Sequence, residues 1–312
     1  KPLIIAGNGP SIKDLDYSLF PSDFDVFRCN QFYFEDKYYL GREVKGAFFF
    51  AGEIFDVAMR TARQLVCNDE YAFCDIYCTT NSDYIDGCNI EELLKKRYVG
   101  IRRAFYFLQQ LEPFFTLHKN NVNFYGKDFT SGIDMLIVAI ALGYKEIYLC
   151  GIDFYENGLE YFYENKSEYF IPHPSSLNTH SKNIDLQAIE LAKSYANLYA
   201  LVPNSALNRY LPLSPNKNVL SIEKMQSLKL GEHKPLGYTS DAVFKKDTFG
   251  EVSNVRSDLK KILVSKGISG SNLYVWLAKR LVFDAISLVR GAWQLCKDGK
   301  IFSLLWGFFD KK

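Results

Sequence analysis

Short apolar runs recur at 3–6, 25–29, 47–50, 73–78, 123–125, 146–150 and 198–202, each at the length of a strand. Between them, segments at 54–67, 90–98, 101–111, 131–142 and 184–196 return an apolar residue every three or four positions, the period of a helix with one buried face. Strands that are apolar throughout, interleaved with helices, predict an α/β fold in which a mostly parallel sheet is covered on both faces. Such sheets bind ligands beyond the carboxyl ends of their strands. The loops after strands are therefore where chemistry is expected.

The pattern changes three times. Between 155 and 180 it gives way to a polar and aromatic stretch with Tyr155, Tyr161, Tyr163, Tyr169 and Phe170, ending in Pro172, His173 and Pro174. About 25 residues without periodicity inside a compact domain suit a functional lid. From 212 to 256 the chain is polar and punctuated by Pro and Gly, which predicts a connector. Beyond it, 272–309 has helical spacing, with Leu273, Trp276, Leu277, Leu281, Leu288 and Trp293 among Lys279, Arg280, Arg290, Lys297 and Lys300. A basic amphipathic segment of this kind fits an anionic membrane interface, and it equally fits packing on the catalytic domain or on another subunit. The expected organisation is a catalytic domain of 1–154 and 181–211, a lid of 155–180, a connector of 212–256, and an amphipathic helical segment of 257–312.

Composition narrows the partners. The 37 basic and 36 acidic side chains nearly cancel, so there is no global field favouring nucleic acid. The cysteines at 29, 67, 74, 78, 88, 150 and 296 are odd in number and several fall in apolar runs, which reads as buried thiols in a reducing compartment. Cys74 and Cys78 have no second pair or nearby His to complete a zinc site. No leader-like segment and no uncharged run of roughly 20 apolar residues is present, so a cytoplasmic or inner-membrane-face location is expected.

Several loops carry candidate chemistry. The first strand runs into Gly7-Asn8-Gly9-Pro10-Ser11, a turn in which a ligand can approach the backbone closely and Asn8 offers both a donor and an acceptor. The second strand ends at Asn30-Gln31. Thr130-Ser131-Gly132 precedes an apolar helix, where Thr130 can serve as an N-cap or the same hydroxyls and N–H groups can hold a phosphate. Leu149-Cys150-Gly151 ends a strand and opens the lid at Tyr155, with Tyr161 six residues on. His180 stands where the lid returns to a helix; His118, His173 and His233 have no comparable setting. An imidazole there can cap the helix or accept a proton near neutral pH. Asp23-Phe24-Asp25 spells a metal-holding D-x-D but precedes a strand, so it reads as strand entry.

These residues together resemble glycosyltransferase family 42, the bacterial sialyltransferases of lipooligosaccharides. The resemblance rests on Ile4–Ser11, Asp25–Gly41, Thr130–Gly132, Ala139–Tyr155 and His180–Lys182, and it covers about residues 2–205. It implies a single Rossmann-like domain, a variant of the GT-A type, with a lid, and an inverting, metal-independent transfer of a sialic acid from its CMP ester to a galactose (α2,3) or a sialic acid (α2,8). It implies no cofactor, a glycan acceptor as partner, a peripheral position at the inner membrane, and allows a homotetramer. By position, Asn8, Gly9, Asn30, Thr130, Ser131 and Gly151 match residues that hold CMP, Tyr155 and Tyr161 those that stabilise the leaving phosphate, and His180 the general base. The chain departs from the family at Phe50 and at Asp128, where relatives carry Asn and Arg on the sugar or acceptor side; Lys127 beside Asp128 can supply the charge. Those departures leave two rivals, a transferase of another CMP-activated acid such as Kdo and a catalytically silent binding relative.

Overall fold

The computed structural model describes residues 1–50, 55–81, 84–85, 88–98, 100–156, 161–163, 180–218, 220–234, 281–282, 285–286, 288–289 and 293. The chain divides into two compact units, Lys1–Lys245 and Lys246–Lys312.

The first unit is built on a seven-stranded parallel sheet. Its strands are β1 (Leu3–Ala6), β2 (Asp25–Cys29), β3 (Glu43–Phe49), β4 (Ala72–Cys78), β7 (Arg102–Arg103), β8 (Glu146–Cys150) and β9 (Asn197–Ala200); β5 (Tyr84–Ile85) and β6 (Cys88–Asn89) form a separate antiparallel ribbon. The order across the sheet is β7-β4-β3-β2-β1-β8-β9. The chain therefore builds outward from β1 to one edge and then returns to β1's other side with β8. That reversal puts a topological switch point between β1 and β8, where the following loops part and leave a crevice. Ala6 is level with both Arg28 and Cys150, so the carboxyl ends of these central strands lie together.

Helices cover both faces, as the uniformly apolar strands require. Leu3 and Ile5 pack into a cluster under α3 (Ala104–Gln110), α4 (Glu112–Tyr125), α5 (Ser131–Ala141) and α6 (Lys182–Ala192). Ile4 and Ala6 point the other way, towards Tyr39, Phe162 and Leu228. A third cluster joins Val44 and Ala47 of β3 to Met59, Ala62 and Leu65 of α1 (Phe55–Cys67). Helix α5 is buried on every side from Gly132 to Ile140, which explains an apolar run there that shows little amphipathic contrast.

Two sequence expectations are corrected. Residues 123–125 are the last turn of α4, not a strand: Gly126 takes the left-handed conformation (φ 60°) and closes the helix, leaving Phe124 and Tyr125 exposed. The helix expected over 101–111 starts at Ala104, because Arg102 and Arg103 pair with the end of β4. Of the cysteines, Cys29, Cys78 and Cys150 are buried, whereas Cys67 and Cys74 are exposed, Cys67 closing α1 and Cys74 lying near the start of β4. The stretch expected as a connector is described to 234, and there it packs: Leu220, Leu228 and Leu230 enter the core, and Leu213 and His233 form bridges to Ala200 and Lys37. Asp23 and Asp25 lie at the amino end of β2, bound to Lys1, at the opposite end of the strand from the crevice.

Arg28 fixes the carboxyl end of β2. It is fully buried, paired with Glu35 at 2.8 Å and stacked 4.6 Å from the Phe32 ring centroid and 5.8 Å from that of Phe162. Tyr71 also donates to Glu35, at 2.6 Å. Removing one member of such a pair leaves an uncompensated buried charge and costs about 3–5 kcal/mol. The pair thus holds Asn30, two residues on, and meets Phe162 from the expected lid. Among the described residues, no helix is long and apolar enough to cross a membrane.

Candidate active site

The crevice at the switch point opens into a cavity of about 440 Å³. One wall is backbone. Gly7 N donates to Cys150 O (3.0 Å) and Gly9 N to Gly151 O (2.8 Å), tying the turn after β1 to the turn after β8. A Cβ on Gly7 would stand 2.3 Å from Gly151 O, so only glycine permits the approach. Asn8 Nδ2 donates to Cys29 O at 3.0 Å, while its buried Oδ1 has no partner among the described residues. Phe162 N donates to Asn8 O at 3.1 Å, which seats the described part of the lid over this turn. Asp153 closes the wall by accepting from Ser11 N at 2.9 Å.

The floor joins β2 to α5. Asn30 sits in the left-handed region (φ 50°), which Asn tolerates, and this turns its side chain to accept from Phe50 N at 3.1 Å and donate to Ser131 Oγ at 3.2 Å. Thr130 occupies the N-cap position of α5, but its hydroxyl does not cap the helix. It donates instead to Asp185 Oδ2 of α6 at 2.8 Å, and Thr130 N donates to Asp185 Oδ1 at 3.3 Å. Burial raises Asp185 to about 7 despite these two hydrogen bonds. Asp134, one turn into α5, is also buried, and burial together with the charges of Asp128 and Asp185 pushes it well above the ordinary carboxyl range.

The opposite wall is made of side chains. His180 Nδ1 lies 3.1 Å from the carbonyl oxygen of Asp128. A carbonyl only accepts, so Nδ1 carries the proton and Nε2 is left with the lone pair. Burial lowers the His180 pKa below 6.5, outweighing the Asp128 contacts that raise it, so the imidazole is neutral at pH 7. The Tyr155 ring lies parallel to it, with centroids 6.4 Å apart. Burial raises the pKa of both Tyr155 and Tyr161, so both phenols keep their protons. Phe154 and Tyr155 take positive φ values in succession, 53° and 56°, a sharp turn that brings Tyr155 back over the cavity.

Asp128 is held from behind. Its Oδ1 accepts from His118 Nε2 (2.8 Å), Asn81 Nδ2 (3.0 Å) and Phe129 N (2.8 Å). Burial pushes this carboxyl up, but the hydrogen bonds from His118, Asn81 and Phe129 N outweigh it and hold the group below the usual range.

Asn8, Gly9, Asn30, Phe50, Lys127, Asp128, Thr130, Ser131, Gly151, Tyr155, Tyr161 and His180 all line this one cavity. Sequence reasoning missed His118, Asn81, Asp134 and Asp185. His118 in particular was set aside, yet it is buried in α4 against Phe129 and bonded to Asp128. The only sequence signal was the placing of Asp134 and Asp185 in the first turns of their helices, which favourable dipole interaction alone accounts for. Among the described residues, no group of three or more His, Cys, Asp or Glu side chains is arranged to hold a metal ion.

A parallel sheet with its cavity at the switch point, lined by a glycine-built turn and by a neutral imidazole, is the arrangement of a nucleotide-binding α/β enzyme. The particular kind follows from comparison with known proteins. A sequence model of the CST-I alpha-2,3-sialyltransferase family matches residues 1–282, and the chain belongs to that family. The monofunctional alpha-2,3-sialyltransferase Cst-I from Campylobacter jejuni is 37% identical and superposes with a TM-score of 0.69 over 86% of this chain and 95% of its own. CstII from Campylobacter jejuni, in complex with the substrate analogue CMP-3FNeuAc, is 38% identical with a TM-score of 0.64, covering 74% of this chain and 99% of its own. An uncharacterized protein of Haemophilus influenzae is 34% identical over 173 residues, 51% of this chain and 73% of that protein. The chain is therefore a sialyltransferase by family.

Proposed function

We propose that the chain transfers sialic acid from CMP-Neu5Ac to a terminal galactose of a lipooligosaccharide in α2,3 linkage, with inversion, without a metal ion, and with His180 as general base. The observation that carries this is the Asp128 carbonyl on His180 Nδ1, which leaves the lone pair on Nε2 of a residue that lines the same cavity as Tyr155 and Tyr161. Asn8, Gly9, Asn30, Thr130, Ser131 and Gly151 would hold the CMP portion; the unpartnered Asn8 Oδ1 suits a ribose hydroxyl or the cytosine amine. As the acceptor oxygen attacks the anomeric carbon, its proton passes to His180 Nε2. The bond from that carbon to the phosphate oxygen breaks, and CMP departs with the electron pair. The single phosphate of CMP gathers one further negative charge, which two protonated phenols can meet by hydrogen bonds. The α2,3 linkage follows the description of the matching family.

The test is incubation with CMP-Neu5Ac and lactose, following CMP release, product mass and linkage. His180→Ala should lower kcat by about 10²–10⁴-fold. In the wild type the acid limb of the rate profile should fall below pH 6.5, because the folded-state pKa lies under that value. A His180→Ala rate within a few-fold of wild type would remove His180 from the role of base, and transfer from CMP-Kdo but not CMP-Neu5Ac would change the donor.

The second unit extends the proposal to location. Leu281, Val282, Leu288, Val289 and Trp293 are helical and exposed, at 69, 58, 74, 70 and 64%. Such a stripe beside basic residues suits an anionic bilayer surface at the inner membrane. Full-length protein should float with phosphatidylglycerol vesicles, and Leu288→Glu combined with Trp293→Glu should reduce the bound fraction several-fold; equal flotation would exclude this face.

A further inference from the structure

We infer that Asp128 selects the acceptor by charge, admitting a neutral sugar terminus and rejecting one that carries a carboxylate. The inference rests on the sialyltransferase reading and names the acceptor class for that same cavity.

The acceptor hydroxyl has to reach His180 Nε2 to lose its proton, and Asp128 is the residue whose carbonyl orients His180 from 3.1 Å away. The Asp128 side chain lines the cavity and is 40% exposed. Its three side-chain hydrogen bonds among the described residues all fall on Oδ1. Oδ2 is left to the cavity, as an acceptor for a sugar hydroxyl arriving beside the base.

The charges of the cavity decide what can arrive there. Lys127 is the single lysine or arginine among the described residues that line it. The donor already brings two anionic groups, the phosphodiester and the sugar-acid carboxylate. An acceptor ending in a sialic acid would bring a third anionic group, next to Asp128 and with no second lysine or arginine among the described residues that line the cavity. Like charges in a partly water-excluded site repel more strongly than in bulk water, so the penalty falls on the anionic acceptor alone. A galactose terminus has only hydroxyls, and one of these can donate to Oδ2. The buried His118 and the half-buried Asn81 keep the carboxylate aimed, which makes them positioning residues for the same selection.

The experiment compares kcat/KM for three acceptors with CMP-Neu5Ac: lactose, 3′-sialyllactose, and 3′-sialyllactose whose carboxylate is methyl-esterified. The wild type should favour lactose over sialyllactose by about tenfold or more, and esterification should recover most of that loss without any change to the protein. Asp128→Asn should narrow the ratio several-fold, its CMP affinity measured alongside as a check on folding. Transfer to lactose and sialyllactose at similar rates, or an ester no better than the free acid, overturns the inference whatever the variant does. Absence of transfer to every acceptor overturns the sialyltransferase reading, and the acceptor selection falls with it.

Discussion

The turns after β1 and β8 face the Lys127–Ser131 segment and the start of α6 across one cavity, yet the two sides are made of different materials. The first side is backbone packed on backbone: Gly7 and Gly9 hydrogen-bond to Cys150 and Gly151, and a Cβ on Gly7 would reach 2.3 Å from a carbonyl oxygen. The second is a set of ionisable side chains, Asp128, Asp134, Asp185 and His180, drawn from α5, α6 and the loops before them, with His118 of α4 bonded to Asp128 from behind. A backbone wall has a fixed shape at any pH, which suits the nucleotide portion of the proposed donor. A wall of carboxylates and imidazoles has a state that depends on its protonation, which suits proton removal and discrimination among acceptors. The contrast implies that perturbing the second side should produce pH-dependent effects, and perturbing the first should not.

The largest such effect is expected at Asp185. Its carboxyl is 2% exposed and burial raises it from 3.8 to about 7 in the folded chain. Between those values the folded state keeps a proton that the unfolded state has released, so stability falls as pH rises from about 4 to about 7 and is flat above. The shift corresponds to about 4 kcal/mol for the ionised group. Asparagine at 185 cannot ionise, and the Thr130 hydroxyl can turn from donor to acceptor to keep its bond to the amide. Asp185→Asn should therefore gain stability over wild type on going from pH 5 to pH 8, by a difference in Tm on the order of 10 °C. Parallel melting curves for the two proteins across that range would show that Asp185 does not carry the proton.

How far each side could be read from the sequence follows the same division. The strands β1, β2 and β8, and the Gly7–Ser11 and Gly151 turns that follow two of them, were legible because apolar runs and glycine turns are local signals, and the parallel order follows from interleaved helices. Asn8, Thr130, Tyr155 and His180 could be singled out because each stands at a strand or helix end. Asp185 and His118 could not. Each lies inside a helix, in positions where an acid or a buried histidine is unremarked, and their partners are 55 and 10 residues away. Thr130 shows the limit most clearly. Its place before α5 allowed a capping hydroxyl or one that holds a phosphate, and the cap position is right, but the Asp185 carboxyl of α6 takes the hydroxyl instead. Local rules locate the residue; tertiary contact decides what its side chain does.

The backbone side should respond to a single methyl group. In Gly7→Ala the added Cβ meets Gly151 O at 2.3 Å, and the neighbouring contacts at 3.0 and 3.2 Å leave it no space to turn into. The atom it meets is main chain, tied through the β1–β8 ladder, so relief requires the two turns to separate. Overpacking of this kind costs about 1–3 kcal/mol. Because no titrating group is involved, the loss should be the same at pH 5 and pH 8, unlike that of Asp185→Asn. Separation of the turns also displaces Asn8, whose Nδ2 is held by Cys29 O, and CMP affinity measured by calorimetry should drop by roughly tenfold, the equivalent of 1.4 kcal/mol. A variant that binds CMP as wild type does would mean that the crevice between β1 and β8 yields easily, and the division between a rigid wall and a titrating one would then have to be drawn elsewhere in the cavity.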